Sequence, residues 1–262
     1  MPLTSFQRDV LRVLASHRNP ESHVGGGSVI NRADNSPRYS EDVDLFHDVA
    51  QSVVSSAEAD CAALLQQGFT VVWLLRQPSL QRAEVHRGGE SVRLDWCSDS
   101  AFRFFPVQPD LEFGYCLHKA DLATNKMLAL ANRSEFRDYV DILHLHKSYL
   151  SLGAMCWAAC GKDQGFTPWT VIEFAKRNVT FRNEVLASGQ FREPLTLPAL
   201  KEEWLKAVAE AEAWFPRLPV TDVGCLYISP EGLPFTPDPS DPHFANVIRH
   251  YGSVRGAWPK LS

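Results

Sequence analysis

The stretch from His23 to Asp48, HVGGGSVINRADNSPRYSEDVDLFHD, constrains this chain more than any other. It sets a glycine turn, a hydroxyl, an arginine and two alternating carboxylates within one short unit. Gly25, Gly26 and Gly27 let the backbone take conformations closed to other residues and approach a ligand closely, and Ser28 is placed to cap the turn that follows. A phosphate fits such a turn. After the polar link Asn31 to Pro37, Val43 and Leu45 alternate with Asp42 and Asp44, the pattern of a half-buried strand. Both aspartates then project to one face, roughly 7 Å apart at the backbone, close enough to converge on one hard cation or a close pair of cations. Taken singly, a glycine run is an ordinary turn and an Asp-x-Asp pair is a solvated acidic patch. Their order and closeness read together as a phosphate-and-metal site.

At 262 residues, 45% hydrophobic and 22% charged, the chain can bury a full core, and the pattern divides it into two domains, 1–117 and 118–262. The first 117 residues carry 10 Lys and Arg against 15 Asp and Glu, so the acidic excess behind the net charge of −5 lies with the metal half. A net negative chain is not one that coats nucleic acid non-specifically. Neither a basic start followed by an apolar run nor a span of about 18 apolar residues occurs, which predicts a cytoplasmic protein with no membrane partner. The six cysteines are scattered; only Cys156 and Cys160 are close, at helical rather than zinc-site spacing, and they read as small buried hydrophobes.

Along the first half, Phe6, Val10, Leu11, Val13 and Leu14 predict an opening amphipathic helix over 3–17, and a second helix is expected over 47–67 with Val49, Val53, Val54, Ala57, Cys61, Leu64 and Leu65 in its stripe and Gly68 as its stop. Strands follow at 69–76, 81–87 and 91–97, the last two joined by Gly88-Gly89. In the third, Asp95 lies opposite the apolar set Val92, Leu94 and Trp96, making a third carboxylate available. The Pro106 and Pro109 segment reads as broken strands. From His118 the pattern turns helical: one helix to Leu130, a second from Glu135 to Tyr149, and two more at 167–176 and 197–215.

Lys126 stands among apolar residues on the first of these helices, with Arg133, Arg137, Asp138 and Asp141 close behind. A lysine ammonium is a compact charge suited to a triphosphate, and an acid such as Asp138 holds it in place; the plainer alternative is a charged helix surface. Phe174, Lys176, Arg177, Asn178, Phe181 and Arg182 interleave aromatics with cations, as an RNA-gripping patch or a half-buried helix end would. His144 and His146 do not share a helix face and offer no metal pair. The tail shows a possible hairpin at CLYISPEGLPF and no chemistry.

Two blocks resemble the AbiEii/AbiGii-type nucleotidyltransferase toxins of the polymerase-β-like superfamily. The first is Gly26-Gly27-Ser28 with Arg38-Tyr39-Ser40-Glu41-Asp42-Val43-Asp44-Leu45; the second runs from Asp121-Leu122 through Lys126 and Arg133 to Arg137-Asp138 and Asp141. Together they cover about a fifth of the chain. The resemblance implies an α+β fold, a polymerase-β-like core of mixed sheet and flanking helices followed by a mainly helical region that contributes the lysine helix. It implies that Asp42, Asp44 and Asp95 bind magnesium or manganese, and that Gly26, Gly27, Ser28, Arg38, Ser40 and Arg137 contact the nucleotide. Lys126 would steady the pyrophosphate end, with Asp138 orienting it. The expected reaction is transfer of a nucleoside monophosphate from a nucleoside triphosphate to an acceptor hydroxyl, on RNA such as tRNA, by a toxin with an antitoxin partner. Transfer to a small molecule such as an antibiotic, or a non-catalytic nucleotide-binding or interaction role, are the competing readings.

Overall fold

The computed structural model of the chain describes residues 3–33 and 35–261, without the side chain of Ser188. Asp34, in the polar link, lies outside the described residues. The fold is α+β, and the chain forms two compact units: Met1–Ala101 with Pro106–His118, and Phe102–Phe105 with Lys119–Ser262. Sequence patterning cuts the chain after residue 117 and misses the four-residue exchange. It arises because Phe102–Phe105 has its hydrogen-bond partners in the second unit: the buried Asp121 carboxylate accepts from the Phe104 and Phe105 amides at 2.8 and 3.0 Å.

In the first unit, α1 (Ser5–Ala15) opens on a capping box in which Thr4 and Gln7 satisfy each other's backbone amides, and it buries Phe6, Val10, Leu11 and Leu14. Then come β1 (Ser22–Gly25), the short α2 (Gly26–Ile30), β2 (Asp42–His47), α3 (Ser52–Gln66), β3 (Thr70–Gln77), β4 (Leu80–Arg87) and β5 (Glu90–Ser98). After β6 (Phe102–Arg103), which belongs to the second unit, β7 (Gln108–Asp110) and β8 (Gly114–Cys116) complete the first. Among the described residues one seven-stranded sheet runs β3-β4-β5-β2-β1-β8-β7, with β2 parallel to β5, β1 parallel to β8 and the other pairs antiparallel. Gly88 and Gly89, at φ +63° and +86°, make the tight β4–β5 turn. Pro109 lies on β7 at the sheet edge, where its missing amide costs no ladder bond.

α3 starts at Ser52 rather than at 47, because β2 continues to a buried His47 whose backbone pairs with Ser22 and Ser98. Its stripe holds at Val53, Ala57, Cys61 and Leu64, all buried, and departs from expectation at two other positions. Val49 and Leu65 are exposed, whereas Asp60 is buried and accepts from Arg18, His17 and the Trp96 indole. A carboxylate replaces aliphatic residues there because the turn after α1 and strand β5 bring three donors to it.

The second unit holds α4 (Lys119–Asn132), α5 (Phe136–Ser148), α6 (Leu152–Lys162), α7 (Pro168–Asn178), α8 (Glu184–Ser188) and α9 (Leu197–Trp214). α6 is buried from Leu152 to Cys160, so both its cysteines are core residues, as expected. At the tail, β9 (Cys225–Ile228) pairs with β10 (Ile248–Tyr251), and β11 (Ser253–Val254) pairs with β6. The predicted hairpin survives only as a tight return, with the Phe235 amide donating to the Tyr227 carbonyl. Pro230 and Pro234 remove donors that a regular ladder would need.

Candidate active site

The glycine turn leaves the central strand β1, and its three residues are distinct. Gly25 pairs with Asp44 across the antiparallel β1–β2 ladder. Gly26 has φ +67°, and a Cβ there would run into the Asp44 carboxylate, with Cγ at 2.9 Å. A Cβ on Gly27 would meet Arg38 Nη2 at 2.5 Å and Ser40 Oγ at 3.3 Å. Only glycine therefore lets the turn, Asp44, Arg38 and Ser40 pack at these separations. Arg38 is buried and donates to the Tyr39 carbonyl at 3.0 Å; the Ser40 hydroxyl donates to the Asp42 carbonyl at 3.1 Å, and the Ser40 carbonyl accepts from Gln7 of α1. Ser28 does not cap the helix. It sits in the third helical position, fully buried, and its hydroxyl donates to the Gly25 carbonyl at 3.2 Å, because α2 starts at Gly26. The polar link is tied down by Asn31, whose amide donates to the Gly27 carbonyl while its carbonyl oxygen accepts from Ser36.

Parallel pairing of β2 with β5 sets Asp44 directly beside Asp95 and Asp42 beside Arg93. Sheet alternation then puts all three carboxylates on one face, together with Arg82 of β4, whose register partner is Asp95. Arg82 forks onto Asp95 through Nε at 2.7 Å and Nη2 at 2.6 Å; Arg93 bonds Asp42 through Nη2. Asp42 and Asp95 are 5% and 7% exposed, so these pairs sit where water screens poorly. The mutual repulsion expected of the carboxylates without a cation is offset here by arginines. Sequence reading passed over both. The signal was present for Arg82, since a two-residue turn at Gly88-Gly89 fixes it opposite Asp95.

The second block assembles within the second unit. Lys126 Nζ lies 2.8 Å from Asp138 Oδ1 and 3.2 Å from Asp141 Oδ2, and Arg133 Nε donates to Asp138 Oδ2 at 2.8 Å. Both aspartates are fully buried and Lys126 nearly so. This is not an exposed charged helix face. Burial would raise the Asp138 pKa, but the Lys126 charge and the Arg133 and Lys126 hydrogen bonds outweigh it and hold the carboxyl below its usual range. Arg137 Nε lies 3.9 Å from a Glu135 carboxylate oxygen. In the basic-aromatic stretch, Lys176 is paired with Glu173 and Glu212, Asn178 donates to the Leu130 and Ala131 carbonyls, and Phe181 packs on Phe136 and Tyr139. It is chiefly a packed helix end, with Arg177 over the exposed Phe174 ring.

Hard oxygen donors of this kind suit magnesium or manganese. Asp42 and Asp44 supply them from alternate positions of one strand, and Asp95 from the matching level of the next. Among the described residues no group of three His, Cys, Asp or Glu side chains is disposed to hold a metal ion as the side chains stand, in keeping with Asp42 and Asp95 being held by arginines. The donor chemistry fits a divalent cation, with the arginine charges in its place.

Over residues 11–215 the chain matches the family described as nucleotidyl transferase AbiEii toxin, type IV toxin–antitoxin system. The chain belongs to the AbiEii nucleotidyltransferase toxin family. It is a nucleotidyltransferase of that toxin type, and the family implies a nucleoside triphosphate substrate and an antitoxin partner. MenT4, a nucleotidyltransferase toxin from Mycobacterium tuberculosis, shares the fold at a TM-score of 0.54 and 16% identity, over 82% of this chain and 84% of that one. A nucleotidyltransferase structure from Helicobacter pylori aligns at 0.49 and 14% identity (83% and 100% covered), and JHP933 from the same organism at 0.47 and 16% (79% and 87%). No curated protein matches the chain. Among the described residues no helix is long and apolar enough to cross a membrane.

Proposed function

We propose that this toxin transfers a nucleoside monophosphate from a nucleoside triphosphate to a hydroxyl of RNA, tRNA in the first instance, in the cytoplasm, with a divalent cation held by Asp42 and Asp44. The observation that carries the reading is the Asp44 carboxylate lying against Gly26 of the glycine turn and in register with Asp95. Phosphate and carboxylate chemistry meet at that point.

The acceptor oxygen attacks the α-phosphorus, a new P–O bond forms, the bond to the bridging α–β oxygen breaks, and pyrophosphate leaves. Asp95 accepts the hydroxyl proton. A bound magnesium or manganese would supply Lewis-acid neutralisation of the attacking and leaving oxygens. Gly26 and Gly27 let the triphosphate approach the backbone, and Arg38, buried behind Gly27 with Ser40, fixes the turn rather than offering a free fork. Within the second unit, Asp138, Asp141 and Arg133 hold the Lys126 ammonium in one place, and Lys126 and Arg137 are that unit's candidate phosphate-binding cations. Positioning and electrostatics account for the catalysis.

The test is incubation with each labelled nucleoside triphosphate, magnesium and total tRNA. Label on RNA that disappears in Asp44→Ala supports the proposal. Label on a small hydroxylated acceptor but never on RNA moves the acceptor class, and no transfer or nucleotide binding with any metal removes the catalytic reading.

A further inference from the structure

The two arginines of the acidic face are not equivalent. Arg82 is fully engaged, both arms of its guanidinium on Asp95. Arg93 is not: Nη2 reaches Asp42, but Nε is 3.7 Å from the Asp95 oxygen, beyond a hydrogen bond, and that buried nitrogen has no hydrogen-bond partner. Its side chain is 38% exposed although Asp42 and Asp95 beside it are nearly closed off. A partly exposed guanidinium whose buried Nε is unsatisfied, seated between two candidate cation ligands, is poised to change partners. Its donors match phosphate oxygens as well as carboxylate oxygens. Asp42 is two residues from Asp44, whose carboxylate lies on the turn where the triphosphate is proposed to rest.

We infer that Arg93 is an exchangeable counter-ion: it neutralises Asp42 and Asp95 while they hold no cation, and passes to the nucleotide triphosphate when a divalent cation takes the carboxylates. The inference rests on the cation reading given above. It makes Arg93 oppose cation binding in the protein alone and favour binding of the cation–triphosphate pair, so that metal and nucleotide load together. A purely structural arginine would affect both in the same direction.

Mn2+ binding to the full chain, followed by water-proton relaxation without nucleotide, reads the first half, and Mn2+ with inorganic tripolyphosphate reads the second. For Arg93→Gln the expected result is Mn2+ affinity raised roughly tenfold, as removal of one nearby competing charge predicts, and tripolyphosphate affinity lowered by a similar factor. Unchanged or weakened Mn2+ binding, or both ligands binding more tightly, overturns the inference. Asp42→Asn/Asp44→Asn distinguishes the two levels. If it leaves Mn2+ binding intact, the cation reading fails and takes this inference with it; if it abolishes binding while Arg93→Gln changes nothing, only the exchange is lost. Should Arg93→Gln lose the wild-type circular dichroism, Arg93→Lys carries the test. It keeps the charge without the fork, so Mn2+ affinity stays near wild type and tripolyphosphate binding drops about threefold, whereas undiminished tripolyphosphate binding refutes the role.

Discussion

Replacing Gly26 by alanine separates backbone strain from damage to the site, because the fold contains a matched control. Gly26 and Gly88 have nearly the same φ, +67° and +63°, so an alanine at either costs about 1–2 kcal/mol of left-handed strain. Their surroundings differ. A Cβ at Gly88 meets nothing within 4 Å, whereas a Cβ at Gly26 finds Asp44 Cγ at 2.9 Å and its carboxylate oxygen nearer still. Carbon atoms rest at about 3.5–4.0 Å, so Asp44 must retreat by roughly 1 Å. A shift of that size in a positioning group costs on the order of 100-fold in rate. Gly88→Ala lies six residues along the hairpin from the level of Asp95, about 20 Å away at strand rise, and leaves the carboxylates where they are. Urea unfolding should therefore show similar losses for the two variants, while transfer of labelled nucleotide falls about 100-fold in Gly26→Ala alone. Equal transfer rates in both would refute the claim that the glycine exists to make room for Asp44.

Lys126→Ala leaves Asp138 and Asp141 with less compensating charge in the core, and should destabilise the second unit by roughly 3–5 kcal/mol by urea titration as well as abolish transfer. Asp138 has a depressed folded pKa, so its charge contributes stability that is complete above the unfolded value of about 3.9 and disappears as pH falls through the folded one. The stability gap between wild type and Asp138→Asn should thus be constant from about pH 7 to 5 and close in stronger acid; a gap that widens in acid contradicts it. Burial pushes the Cys160 thiol up to about 12 and raises the Cys156 thiol well above its ordinary value, with the neighbouring thiol adding to the latter, so a thiol reagent at pH 8 should label neither until the chain is unfolded. Asp60→Asn should cost roughly 3–5 kcal/mol, since it strips the buried Arg18 of its charge partner; a loss under 1 kcal/mol in chemical unfolding would show that the network is dispensable.

Local rules were enough for much of this protein. Strand alternation alone puts Asp42 and Asp44 on one face and Asp95 opposite its apolar neighbours, and the glycine pair at 88 and 89 sets the hairpin register. The lysine–aspartate pairing was also visible, because twelve residues across a helix–turn–helix is a short-range contact. Other features depend on partners far apart in the chain. Parallel pairing of β2 with β5 joins strands separated by two others, and no property of either strand specifies it; yet it sets Asp44 beside Asp95 and delivers Arg93 to Asp42. Asp60 is buried on α3 because the turn after α1 and strand β5 bring Arg18 and Trp96 to it. Ser28 reads as a cap until the helix starts three residues early and buries its hydroxyl. The sequence determined which side chains carry charge and which face of each element they take, since those follow from backbone periodicity. Which charges neutralise one another was decided only by the tertiary structure, because a carboxylate's partner is chosen by distance in space, and burial makes that choice costly to break.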